Sequence, residues 1–285
     1  MNKKYIITSG CSFTAHNGTA RNNGNLSWAY CLSDILGNSY QVDNVAISGQ
    51  GNYTISLNAI NQVDTLLNKG VDAKDIIVLT QWSGLFRPTL YSELFDEKKV
   101  PFDEIAADNN LKELQKAIPH NFINTAARRD TEFWAGYYEY YYTTPQAFID
   151  NLDIILKTQW YLESKNIKFK MFTGWDIFTT VDGSNGNFGK DKILRPNQFS
   201  KGEYSNISNN LLTELYPWSR IFWDKIDWNN FWVFSNDKIK YGGMTQWVQN
   251  NLPIDDWYCQ FPSDVHPSNK AHKKFANDVV KTWIS

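Results

Sequence analysis

Two side chains at opposite ends of the chain are of the types that make a nucleophile and its base. Ser12 stands in Gly10-Cys11-Ser12-Phe13, just past the apolar, β-favouring run Tyr5-Ile6-Ile7 that Gly10 breaks. Open α/β sheets bind ligands just beyond the carboxyl ends of their strands, so such a turn can present a hydroxyl to a cleft. His266 stands in Asp264-Val265-His266-Pro267-Ser268, ahead of the last helical pattern. A serine hydroxyl is a poor nucleophile until a base accepts its proton, and an imidazole that titrates near neutrality suits that task. The base also needs a fixed tautomer, which a carboxylate or carbonyl at its other nitrogen supplies. Singly, a serine in a strand-to-loop turn and a histidine at a helix entry are ordinary structural residues; together they point to chemistry.

Other reactive side chains read as structural. His272 falls on the closing helix in a packing or capping position. It is six residues from His266, which is not HExxH spacing, and no third ligand accompanies them, so no metal is expected. Cys11 is read as a small buried neighbour of Ser12 rather than a thiol nucleophile.

The elements that must position Ser12 and His266 are legible in the hydrophobic pattern. Ser27 is a candidate N-cap for a helix whose Trp28, Leu32, Ile35 and Leu36 share a face before Gly37 stops it. Tyr40 to Val45 reads as a second strand, running into the Gly-bearing turn Ala46-Ile47-Ser48-Gly49-Gln50-Gly51-Asn52. A helix carrying Ile55, Ile60, Val63, Leu66 and Leu67 ends at Gly70. Asp75 to Thr80 is a near-continuous apolar run, as expected of a central parallel strand, and it ends in the turn Gln81-Trp82-Ser83-Gly84. A helix from about Gln146 to Lys165 and a fourth strand from Phe169 to Phe172 follow, the latter ending in Gly174-Trp175-Asp176. Further on, Leu211 to Trp223 is read as helical, Phe231 to Phe234 as a short strand, Gly242 to Leu252 as a short helix and Ser268 to Trp283 as the closing helix. The alternation predicts an α/β fold: a doubly wound, flavodoxin-like parallel sheet in three α/β/α layers. Aromatic-rich insertions are expected at about 86–144 and 177–255, within a single domain spanning 1–285; the first contains the Tyr137 to Tyr142 cluster, and 181–201 reads as a long loop.

Composition narrows the partners. A formal net charge of -2 provides no electrostatic footprint for nucleic acid or an anionic membrane, and no stretch approaches the length of a membrane span. Three scattered cysteines, Cys11, Cys31 and Cys259, suit neither a disulfide framework nor a zinc knuckle and fit a reducing, cytoplasmic setting. The apolar stretch after Lys3-Lys4 is too short for a signal peptide, so the mature chain is expected to start at or near Met1. Aromatics are unusually abundant, with 12 Trp, 15 Tyr and 17 Phe. Most should be packing, with a minority on a cleft wall able to stack on a ligand such as a sugar.

The strand-end turns and the Asp-x-His-Pro before a C-terminal helix resemble the SGNH (GDSL-type) hydrolases, including uncharacterised phage-encoded members. The resemblance covers the chain ends and the first third. Gly10-Cys11-Ser12-Phe13 is similar to the family's first block, whose Ser is the nucleophile, with Cys11 where an Asp is usual. Asn44-Val45-Ala46-Ile47-Ser48-Gly49 is similar to the second, whose Gly contributes a backbone N–H to the oxyanion hole. Asp264-Val265-His266-Pro267 is similar to the last, with His266 as general base and Asp264 orienting it. The family's third block carries Gly-x-Asn-Asp; the corresponding Gln81-Trp82-Ser83-Gly84 has no Asn, which leaves Gln81 or Ser83 as a side-chain donor. The family's Asp commonly lies three residues before the His, where this chain has Ser263.

The resemblance implies a serine esterase that removes an acyl group, acetyl in many members, from an ester on a small molecule or a glycan, without a cofactor. Ser12 and Gly49 N–H with Gln81 or Ser83 would hold the oxyanion, and Trp82 and Arg87, near the third turn, would contact substrate. Arg87 suits an anionic group, although a surface salt bridge is the commoner fate of such a residue. The alternative is a non-catalytic protein that keeps the fold to bind a glycan or to join a phage particle, with virion or oligomer association. The missing third-block Asn is what that alternative expects. Geometry discriminates the two: Ser12 Oγ within hydrogen-bond reach of His266, beside an open pocket, favours the enzyme, and a blocked pocket or a His266 turned away favours the binder.

Overall fold

Tyr5-Ile6-Ile7 and the residues around them form β1 (Lys4–Ser9), and Tyr40–Asn44 forms β2 beside it in parallel register. The computed structural model describes residues 3–16, 24–91, 122–124, 137–180, 210–235, 240, 242–260 and 264–284. β3 (Ile76–Trp82) flanks β1 on the other side, followed by β4 (Lys168–Thr173) and β5 (Phe231–Trp232), all parallel. The resulting five-stranded order is β2-β1-β3-β4-β5, the flavodoxin-like winding. All seven residues of β3 are buried, as a run of Ile, Val and Leu at the centre of a doubly covered sheet requires.

The sheet's covering helices are α2 (Trp28–Leu36), α3 (Asn52–Asn68), α4 (Thr144–Ser164) and α6 (Asn269–Asp278), with α1 (Ser12–Ala15) and α5 (Met244–Asn251) at the strand ends. α2 pairs with α6, and α3 pairs with α4. Apolar periodicity dictates the inward faces: Trp28 and Leu32 on α2, Ile55, Ala59 and Val63 on α3, and Phe148, Leu152, Ile155 and Leu156 on α4. Much of the aromatic content packs here. Phe172 on β4 meets Trp28, Trp232, Phe275 and Trp283, while Phe178, Trp223, Trp228 and Phe231 form a second group. Burying one such ring contributes on the order of 2–3 kcal/mol.

The structure departs from the sequence reading at several elements. β3 runs on through Gln81 and Trp82, because both lie in register with Phe172 and Thr173 of β4. The helix expected over Leu211 to Trp223 is broken at Pro217 into Leu212–Leu215, a single 3-10 turn and Arg220–Trp223. The closing helix ends at Asp278 and continues as a 3-10 turn over Val280–Trp283. His266 lies on a strand: Asp264–Pro267 pairs antiparallel with Tyr258–Gln260 in a small hairpin that precedes α6. The long loop expected at 181–201 and most of the 86–144 insertion lie outside the described residues.

α6 is tied to the entry of α2 by two side chains. Asn269 Oδ1 accepts the Leu26 N–H at 2.7 Å, and His272 Nδ1 accepts the Trp28 N–H at 3.1 Å. Trp28 is the first residue of α2, so His272 satisfies a donor that has no partner within its own helix, the capping role expected of it. Accepting at Nδ1 places the proton of the neutral ring on Nε2. The ring is fully buried, and burial first, then the charges of His16 and His266, push its pKa down to about 3. A folded-state pKa below the unfolded value means that the unfolded chain takes up the proton first, so this contribution is complete above about pH 6.5 and is lost as pH falls toward 3. His272→Asn keeps an acceptor for Trp28 and removes the titration. The fall in thermal midpoint between pH 7 and pH 5 should therefore be smaller in this variant than in the wild type; equal falls would contradict the assignment.

Candidate active site

The site begins where β1 and β2 run out together. Past the strands, Val45 N–H donates to the Thr8 carbonyl at 2.9 Å and Ile47 N–H to the Gly10 carbonyl at 3.3 Å. Ser12 and Gly49 each lie two residues beyond that last pairing, so the two turns leave the sheet side by side. Asn44 locks them further: its Oδ1 accepts from Thr8 Oγ1 and Ala46 N–H, and its Nδ2 donates to the Thr14 carbonyl at 2.7 Å. Gly49 takes φ +79°, a left-handed conformation that a side chain would disfavour.

Ser12 opens α1, with Cys11 at the N-cap, and the N–H groups of Thr14 and Ala15 close on the Cys11 carbonyl. As a first-turn residue, Ser12 has no intrahelical acceptor for its own N–H. His266 reaches it from the terminal hairpin: His266 Nε2 and Ser12 Oγ are 2.8 Å apart across 254 residues of sequence. Both are half-buried. The segment after His266 is fixed, since Ser268 N–H donates to the Trp257 carbonyl and Ser268 Oγ caps α6 by accepting the Ala271 N–H at 3.1 Å. The side chain of Asp264 lies outside the described residues; its backbone pairs with Gln260.

Rings surround the imidazole. His16, four residues after Ser12 and the C-cap of α1, stacks obliquely on His266 with centroids 4.8 Å apart. Phe13 meets His266 edge-on at 5.5 Å, and Trp175 meets Phe13 at 5.3 Å. His16, Phe13 and Trp175 were not singled out by sequence reasoning. The i,i+4 spacing of Ser12 and His16 was the available signal for one of them.

Gln81 is placed beneath the turn rather than in the cleft. Its Oε1 accepts from Cys11 N–H at 3.3 Å, Cys11 Sγ at 3.4 Å and Thr14 Oγ1 at 3.1 Å, while Nε2 donates to the Trp82 carbonyl. The side chain expected to donate to an oxyanion is thus fully buried and holds the turn that carries Ser12. Ser83 is likewise fully buried, with its N–H donated to Asn52 Oδ1 at 2.7 Å. Trp82, the last residue of β3, is wholly enclosed. Arg87 stays at the strand ends, its guanidinium 5.4 Å from the centre of the Trp175 ring. Cys11 is fully buried beside the turn, as expected.

The loop after β4 is pinned by Asp176. Its carboxylate accepts the N–H of Gly242 at 3.0 Å and of Thr179 at 3.2 Å, together with the Thr179 hydroxyl. Enclosure pushes its pKa up to about 6 against the pull of these donors. Among the described residues, no group of three or more His, Cys, Asp or Glu side chains is placed to hold a metal, and no helix is long and apolar enough to cross a membrane.

No family model matches the sequence, and no curated protein sequence matches it. A similar solved structure is that of protein YxiM from Bacillus subtilis, with a TM-score of 0.45 and 12% identity over 99% of this chain and 56% of that one. The chain therefore spans about half the length of that protein.

Replacing Gln81 with Leu would leave the buried Cys11 N–H without its acceptor. Such an orphaned donor typically costs about 1–3 kcal/mol, so chemical denaturation should show a loss of that size. An unchanged unfolding midpoint would remove Gln81 from its place as the support of the turn.

Proposed function

We propose that this protein is a serine ester hydrolase of SGNH type, with Ser12 as nucleophile and His266 as general base. The observation that carries the reading is the 2.8 Å contact between Ser12 Oγ and His266 Nε2 at the carboxyl edge of a parallel sheet. A protein that only binds has no need of an imidazole held against a serine hydroxyl.

In the proposed reaction, Ser12 Oγ attacks the ester carbonyl carbon as its proton passes to His266 Nε2. The carbonyl oxygen becomes an oxyanion that accepts from the N–H groups of Ser12 and Gly49. The intermediate collapses by breaking the bond to the alkoxy oxygen, which takes the proton from His266 and leaves as the alcohol. Water then attacks the acyl-Ser12 carbonyl, giving its proton to His266. The second intermediate expels Ser12 Oγ, which recovers that proton, and the carboxylic acid departs. Asp264, two residues before His266, has the role of steadying the imidazolium. Small acyl groups, acetyl first, on a sugar or another alcohol head the substrate panel.

The test is turnover of 4-nitrophenyl acetate together with intact-mass detection of a serine-directed phosphonate adduct. Ser12→Ala should lose the adduct and at least about 10³-fold in kcat/KM, and His266→Ala should fall by a similar factor. Labelling that persists in Ser12→Ala would assign the nucleophile elsewhere. A folded wild type that neither turns over a panel of acetyl esters nor takes the label would leave the binding role as the better account.

A further inference from the structure

Arg87 has the surroundings of a receptor for an anion. Its Nη1 is shut off from water and has no hydrogen-bond acceptor among the described residues, where Arg87 also joins no ion pair. A buried donor left without an acceptor is costly, more so on a charged group. Stacking on Trp175 recovers part of that cost by cation–π attraction but gives the Nη1 N–H groups no acceptor.

The loop that carries Arg87 is held from several directions. Asn52 bonds both the N–H and the carbonyl of Ser83. The Leu85 carbonyl accepts from Tyr142 Oη at 3.2 Å and Asn151 Nδ2 at 3.1 Å. The Arg87 backbone lies so close to Gly51 that a Cβ there would sit 2.0 Å from the Arg87 oxygen. The backbone of this loop is therefore held in place, with the Arg87 carbonyl against Gly51 in the turn that carries Gly49. Trp175 links it to the reacting pair through Phe13 and His266.

We infer that Arg87, stacked on Trp175, is an anion subsite of the Ser12–His266 centre, and that the ester cleaved there carries a carboxylate. A planar guanidinium binds a carboxylate through two parallel hydrogen bonds, which fixes the substrate's orientation as well as its charge. The inference rests on the hydrolase reading for its chemistry but not for its binding. The carboxylate can belong to the acyl or the alcohol half of the ester.

Mono-4-nitrophenyl succinate against 4-nitrophenyl butyrate tests the acyl side, and 4-carboxyphenyl acetate against its methyl ester tests the alcohol side. In the wild type, one anionic substrate should exceed its neutral counterpart about tenfold or more in kcat/KM. That ratio should collapse toward one in Arg87→Gln and recover in part in Arg87→Lys. Ratios near one for both pairs in the wild type, or a ratio untouched by Arg87→Gln in a variant with a wild-type circular dichroism spectrum, would overturn the subsite. Calorimetric binding of both anionic esters to Ser12→Ala reads the subsite without turnover. Affinity for either that exceeds its neutral counterpart and is lost in the Ser12→Ala, Arg87→Gln double variant supports it, even if the wild type hydrolyses nothing. Equal affinity for the anionic and neutral member of each pair overturns it even if hydrolysis is found.

Discussion

The docking of α6 on α2 is the contact on which the carboxyl edge of the sheet depends. Two polar anchors, Asn269 on Leu26 and His272 on Trp28, set the position of α6 along α2. Apolar packing alone, with Phe275 and Ala271 inward, would tolerate sliding; hydrogen bonds to particular backbone groups do not. Once α6 is fixed, Ser268 at its N-cap is fixed, and His266 two residues earlier has little freedom left. The imidazole is thus aimed by a helix that never enters the cleft.

A second layer of support lies under the Ser12 turn. Gln81 takes up the donors that the chain exposes as it leaves β1, and Asn52 does the same for Ser83 as the chain leaves β3. Buried amides of this kind trade donors and acceptors with backbone that has stepped out of a ladder. They give rigidity to turns that would otherwise be the softest part of an α/β domain.

Much of this was legible in the residues. The apolar run of β3, the glycine stops at Gly37 and Gly70 and the amphipathic faces of α2 to α4 express local periodicity, which a sequence displays directly. That Ser12 and His266 meet was legible because their types and flanking turns suit one another. Gln81 and Trp82 were misplaced because a polar residue followed by Trp-Ser-Gly looks like a turn. What keeps Gln81 in the strand is its pairing with Phe172 of β4, and what occupies its side chain is Cys11 and Thr14, 70 and 67 residues away; no window along the chain contains either. The His266 hairpin escaped notice for a related reason. Strands of three and four residues, one ending in Pro267, have no periodicity to read, and their pairing is decided by the docking of α6.

The separation of 254 residues between the two members of the pair has a consequence for biosynthesis. A ribosome-bound chain can build β1, β2 and β3 early, and with them the turn that bears Ser12. The serine then waits beside a vacant place until α6 has cleared the exit tunnel and docked. The contact forms only once α6 has docked, and a chain cut short before His266 keeps the Ser12 turn without that residue's imidazole beside it.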